Sequence, residues 1–231
     1  MSDHTAAMNS YLAWIVQTLN AYPGVIIQTR CINAKNWRRG LLCRGIRFML
    51  GSWANHTAIG GNVDGHTVVG DATYPKAKWT PIQELLEEIA AGHTEARFYI
   101  PHDYDYDQGR AALYFWNENI KNSPYDTRAI RQYLFVGVRT LLKQLRADKV
   151  TKAVGWEWAW FCTEGVADSE DRAYGRMVFG KHPSKSTPLT GEHRVADGSW
   201  IELRPQQCSQ SEPIQGAHPC ASLPFVAPAY C

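Results

Sequence analysis

No stretch of this chain approaches the roughly 18 consecutive apolar residues that a membrane-spanning helix needs, so no integral membrane segment is expected. A secretory signal is also missing. The first apolar stretch, Tyr11 to Leu19, follows Asp3 and His4 with no Lys or Arg before it, and a cytoplasmic setting is the expectation. Charge of one sign is not in excess. Lys and Arg number 24 against 22 Asp and Glu, a net +2, which argues against nucleic-acid binding as the main task. The local basic clusters, Arg38, Arg39, Arg44 and Arg47 and then Arg139 to Lys152, read as wet helix faces. The six Cys follow no disulfide-framework spacing: Cys31, Cys43 and Cys162 are far apart, and Cys208, Cys220 and Cys231 crowd the end. Internal repeats are lacking too. Apolar residues are plentiful, at 45% of 231, which excludes a mainly disordered chain and suits one domain with appendages. Nine Trp and eleven Tyr exceed the needs of a minimal core and leave aromatics for a groove.

Periodicity gives a coarse map. Leu12, Ile15, Val16 and Leu19 mark a helix over Ser10 to Asn20, broken by Tyr22-Pro23-Gly24. Val25 to Thr29 reads as a strand and Asn36 to Leu50 as a helix. His56 to Ile59 and His66 to Val69 flank a turn-rich Gly60 to Gly65, which predicts a hairpin. Thr80 as N-cap and Pro81 in the first turn predict a helix ending near Gly92. Further on come a strand over Arg97 to Ile100, helices over Gly109 to Asn117, Arg128 to Arg146 and Thr163 to Tyr174, and a last strand over Ser199 to Leu203. From Pro205 the composition reads as an extended tail.

Three groups of residues invite chemical readings. Asp103, Asp105 and Asp107 alternate as in a calcium loop, but Gln108 stands where the template needs Gly and Tyr114 where it needs Glu, so a solvated turn ahead of a helix is the better reading. Cys208, His218 and Cys220 are conceivable zinc donors without paired spacing or an evident fourth ligand; unpaired tail cysteines are preferred, and no metal or organic cofactor is expected. The third group is Cys162 with a histidine. A thiol hydrolase needs a thiolate, a base, a group to orient the base and N–H donors for the oxyanion. A helix starting near Cys162 puts its sulfur at the positive helix end. His56 and Asp71 fall on adjacent antiparallel strands, where a carboxylate can hold one imidazole nitrogen while the other faces the thiol. The alternative is a buried Cys, a surface His and a turn Asp.

Four motifs then carry a resemblance. Trp53-Ala54-Asn55-His56-Thr57-Ala58-Ile59 resembles the "SHxGI" strand of NlpC-type papain-like cysteine hydrolases, and Val68-Val69-Gly70-Asp71-Ala72 the partner strand bearing their third catalytic residue. Phe161-Cys162-Thr163-Glu164-Gly165-Val166 resembles their "CSELV" nucleophile motif, with Thr163 for Ser and Gly165 for Leu. Ser123-Pro124-Tyr125-Asp126 resembles a "YD" segment. The order His, acid, Cys matches the circularly permuted branch, which includes YiiX-like proteins and, more distantly, lecithin:retinol acyltransferase. The resemblance implies an α+β, circularly permuted papain-like fold with an antiparallel sheet packed against helices. It implies an N-terminal helical segment over residues 1–22, a catalytic domain over 23–180 and a C-terminal extension over 181–231. By motif, Cys162 is the nucleophile, His56 the base and then acid, and Asp71 the orienting member, with His66 its rival. Tyr125 supports substrate or oxyanion, and Glu164 takes no catalytic step. The implied activity is hydrolysis of an amide, peptide (cell-wall muropeptide included) or ester bond through a thioester. Lipid acyl transfer on the same fold is an alternative, with Trp156, Trp158, Trp160 and Phe161 walling an acyl groove or simply filling core. So is a non-catalytic module, for example of a phage particle, docking a protein partner through its tail.

Overall fold

The computed structural model describes residues 2–33, 37–73, 75–125 and 162–205. Its centre is a six-stranded sheet. In chain order the strands are β1 (Val25–Cys31), β2 (His56–Val63), β3 (His66–Ala72), β4 (Ala77–Pro81), β5 (Thr94–Pro101) and β6 (Trp200–Leu203). They lie side by side as β4-β3-β2-β1-β5-β6, and every neighbouring pair is antiparallel. Val25, Ile26 and Ile27 open β1 as a β-branched run suited to a strand paired on both edges.

Alternation sends successive side chains of each strand to opposite faces. Ile26, Ile59, Ala72 and Tyr99 face one way and pack with α4 (Tyr106–Phe115), the π-helical turn Trp116–Ile120 and α5 (Cys162–Tyr174) through Leu113, Trp116, Ile120 and Val166. Ile27, Ala58, Val69 and Phe98 face the other way. There they meet α1 (Ser2–Ala21) through Trp14, Ile15 and Leu19, and α3 (Ile82–Ala90) through Ile82 and Ile89. Each such fully buried aliphatic or aromatic side chain contributes about 1.5–3 kcal/mol relative to leaving it in water. α2 (Trp37–Leu50) follows β1, and α6 (Pro188–Ala196) precedes β6.

Several boundaries differ from expectation for local reasons. The β2–β3 turn is only Asp64-Gly65, both residues at positive φ, the two-residue turn whose twist matches a hairpin. Gly60 and Gly61 are therefore inside β2, with Leu19 packed close to one and Leu113 to the other. Thr80 is not the N-cap of α3. Thr80 and Pro81 belong to β4, opposite Val69 and Val68, and Pro81 takes the cap position without a side-chain hydrogen bond. β4 is an edge strand, where the N–H that proline lacks is not needed. α4 begins at Tyr106, ahead of the expected Gly109, because the Asp105 side chain caps it by accepting from the Gln108 N–H at 2.9 Å. Residues 188–203, expected in an extension, supply α6 and the strand that pairs with β5, so they share the sheet of residues 25–101. The helix expected over Arg128 to Arg146, the aromatic run Trp156 to Phe161 and Cys208, His218, Cys220 and Cys231 of the tail lie outside the described residues.

The turn between α1 and β1 passes directly against α4. A Cβ on Gly109 would sit 2.0 Å from the backbone oxygen of Pro23, and one on Gly24 would sit 2.7 Å from that of Gly109. Backbone cannot yield as a side-chain tip can. Gly109→Ala is expected to destabilise the fold by about 3 kcal/mol, the upper part of the range for overpacking, read as a lowered midpoint in urea at unchanged m-value.

Candidate active site

The hairpin β2–β3 builds half of the site. His56 is the first residue of β2 and pairs with Thr29 of β1. The register sets Ile59 opposite Gly70. Carried one pair further it puts Ala58 opposite Asp71, so His56 and Asp71 share a face as diagonal neighbours. Their side chains meet there, with Nε2 of His56 2.6 Å from Oδ1 of Asp71. Each is about a fifth exposed, 19% and 23%.

The other half comes from α5, whose first residue is Cys162. Its side chain is buried, and the thiol is free. The sulfur hydrogen-bonds the imidazole of His56. An imidazole has two ring nitrogens, and with Nε2 on Asp71 this bond falls to Nδ1. The Thr57 backbone N–H also donates to the sulfur. Thr163 lies beside it, its hydroxyl 3.8 Å from Sγ while donating to the Thr57 hydroxyl at 3.1 Å. The motif departure at Thr163 therefore keeps a hydroxyl that ties the helix start to the strand start.

Electrostatics follows from that geometry. Burial alone pushes the Cys162 thiol up, but the His56 charge and hydrogen bond, with those of Thr57 and Thr163, bring it below the ordinary thiol value. Burial alone favours a neutral His56; the charges of Asp71 and Cys162 outweigh it and hold the imidazole well above its ordinary value. The two shifts are one coupled event in which a proton moves from sulfur to ring. Both shifts favour the thiolate–imidazolium form of the pair over the neutral one.

The turn leading into His56 is held from an element that pattern reading missed. Glu192 of α6 accepts from the Ser52 hydroxyl at 2.5 Å and from the Trp53 and Ala54 N–H groups at 2.6 and 3.3 Å. Asn55 donates its N–H to Thr29 and accepts from the Cys31 N–H at 2.8 Å. The Trp53 ring lies under the guanidinium of Arg97, 4.1 Å from its centroid. A lone Glu in a Pro- and Ser-rich stretch carries no sequence signal for this.

Of the residues singled out beforehand, Cys162, His56 and Asp71 are brought together. His66 pairs with Val63 at the far end of β3, five residues or about 17 Å of strand from Asp71. Tyr125 is half-buried against the cluster that includes Ala72 and Ala77, and its N–H donates to Pro75.

No protein-family model and no curated protein matches the chain. Among solved structures, the fold is similar to that of the metalloprotein YiiX from Escherichia coli O157:H7 (DUF1105). The TM-score is 0.50 at 13% identity, over 80% of this chain and 97% of that one. At that identity the likeness extends to the α+β fold and not to activity. Among the described residues, no group of three or more His, Cys, Asp or Glu side chains is placed to hold a metal ion. No helix among them is long and apolar enough to cross a membrane.

Two outcomes check this geometry. Because the Cys162 pKa is lowered, its alkylation by iodoacetamide should stay fast at pH 6, ahead of the other cysteines. In His56→Ala the rate at pH 6 should fall at least tenfold and regain the steep pH dependence of an ordinary thiol. Glu192→Ala should destabilise by about 1–3 kcal/mol, since three donors lose one acceptor, and should slow that alkylation as the His56 turn loosens.

Proposed function

We propose that this chain is a cysteine hydrolase that cleaves an amide, peptide or ester bond through a thioester on Cys162, and that its sheet-and-helix architecture is the circularly permuted papain-like one. The single observation that carries the reading is the ordered contact of three side chains. Asp71 meets Nε2 of His56 at 2.6 Å, and His56 hydrogen-bonds the sulfur of Cys162. A structural cysteine gains nothing from an imidazole whose far side is fixed by a carboxylate; a nucleophile does.

The chemistry follows from the proton inventory. The thiolate attacks the acyl carbon, a C–S bond forms, and the negative charge passes to the acyl oxygen. The first N–H groups of a helix lack intrahelical acceptors, and those at the start of α5 are the proposed donors to it. The Nδ1 proton of His56 goes to the departing amine or alcohol as the C–N or C–O bond breaks, leaving a thioester and a neutral ring. That ring then takes a proton from water, which attacks the thioester, releases the acid and restores the ion pair. Asp71 stabilises the imidazolium at both ends of the cycle and fixes the tautomer between them.

Peptidoglycan stem peptides and other acyl substrates fall within this reading. The test is turnover of a panel of muropeptide, peptide and ester substrates by wild type, Cys162→Ser and His56→Ala. On any substrate the wild type cleaves, each variant should lose at least 100-fold in kcat, the scale of losing a nucleophile or its acid–base partner. Acid quench with mass spectrometry should find the acyl group on Cys162. Wild-type rates in both variants would sink the assignment.

A further inference from the structure

Large apolar residues of α2 point outward. Cys43 marks the inner side of this helix: it is buried, and its sulfur accepts from the Asn55 side-chain amide at 3.5 Å in the turn before His56. Leu41 and Phe48 stand two residues before Cys43 and five after it, which at 3.6 residues per turn sets both on the opposite side. They are 66% and 70% exposed. Gly45 lies between them, and the space a Cβ there would take is open. A surface helix ordinarily turns such a stripe to the core. Single exposed apolar residues need no explanation, but a continuous ridge marks a surface that meets something apolar.

Charge says what that something is. No Asp or Glu occurs from Ile32 to Asn55, whereas Lys35, Arg38, Arg39, Arg44 and Arg47 do. Arg44 is exposed and adjoins the ridge. Among the described residues, neither Arg44 nor Arg47 has a carboxylate partner. An apolar ridge flanked by cations matches a surface that is anionic outside and apolar just beneath, as an anionic bilayer interface is. Other occupants fit less well. A second copy would use the same patch on both partners and set arginine against arginine. Nucleic acid would satisfy the cations and leave Leu41 in water.

We propose that α2 is an interfacial helix that lies on a membrane surface rich in anionic lipid, with Leu41 and Phe48 entering the headgroup boundary and Arg44 beside a headgroup phosphate. Its 14 residues rise about 21 Å, short of a hydrocarbon core of about 30 Å, so it lies in the interface and does not cross it. Through Cys43 and Asn55 the helix is tied to the turn that enters β2, so the docked face lies at the end of the sheet that carries His56. Docking is independent of the thiol-hydrolase reading.

Co-sedimentation of the full chain with sucrose-loaded vesicles tests this. One set is pure phosphatidylcholine, and the other is equimolar phosphatidylcholine and phosphatidylglycerol. Wild type should partition onto the anionic set about tenfold or more above the neutral set, and high salt should weaken that binding. Leu41→Ser/Phe48→Ser should lower partitioning onto the anionic set by about tenfold or more, as the ridge no longer enters the boundary. Arg44→Gln should lower it by about fivefold, the share of one cation near such a surface. All three side chains are exposed, so the variants should keep the wild-type melting temperature. The comparison of vesicle sets needs only wild-type protein. No partitioning onto the anionic set, equal partitioning onto both, or wild-type partitioning in either variant would overturn the proposal. So would a concentration-dependent dimer, or retention of single-stranded RNA, that the ridge variant abolishes while wild type leaves the vesicles unbound.

Discussion

A buried sulfur set against an imidazole and a carboxylate is the constraint to which the rest of the structure answers. Moving a charge out of water costs several kcal/mol, and an unpartnered thiolate at the depth of Cys162 would simply take up a proton. Here the cost is offset by a chain of partners that no single element could supply. The imidazolium comes from the start of β2, the carboxylate behind it from β3, an N–H from Thr57 and a hydroxyl from α5 itself. Each partner favours the charged form of the next. The protonation states are thus a property of the assembled group, and loss of one member alters all of them.

The sheet makes this assembly rigid by using its two faces differently. The Trp116 and Val166 face anchors α5, so that the helix start is held at the level of the first residue of β2. The opposite face, with Trp14, Leu19 and Phe98, anchors α1 and α3 and carries His56 and Asp71. The site therefore forms where the two layers meet at the end of a strand. Glu192 closes the arrangement by gathering the backbone donors of the turn before His56. Irregular backbone at this depth needs such an acceptor, since its N–H groups have no ladder partner.

Local pattern determined several of the element types. The β-branched start of β1, the hairpin around Asp64-Gly65 and the helix beginning at Cys162 are encoded by neighbours in the chain, as is the capping acid Asp105. Cys162, His56 and Asp71 were singled out from short motifs, and the structure brings the three side chains together. Tertiary structure decided everything that joins residues far apart in sequence. It assigned Thr80 and Pro81 to an edge strand, because β3 offered a pairing partner that no local signal announces. It brought residues 200–203 into the sheet beside β5 and Glu192 to the His56 turn, across 139 residues from Trp53. And it chose Asp71 over His66, because a strand rises about 3.4 Å per residue and only the nearer of the two can touch the imidazole.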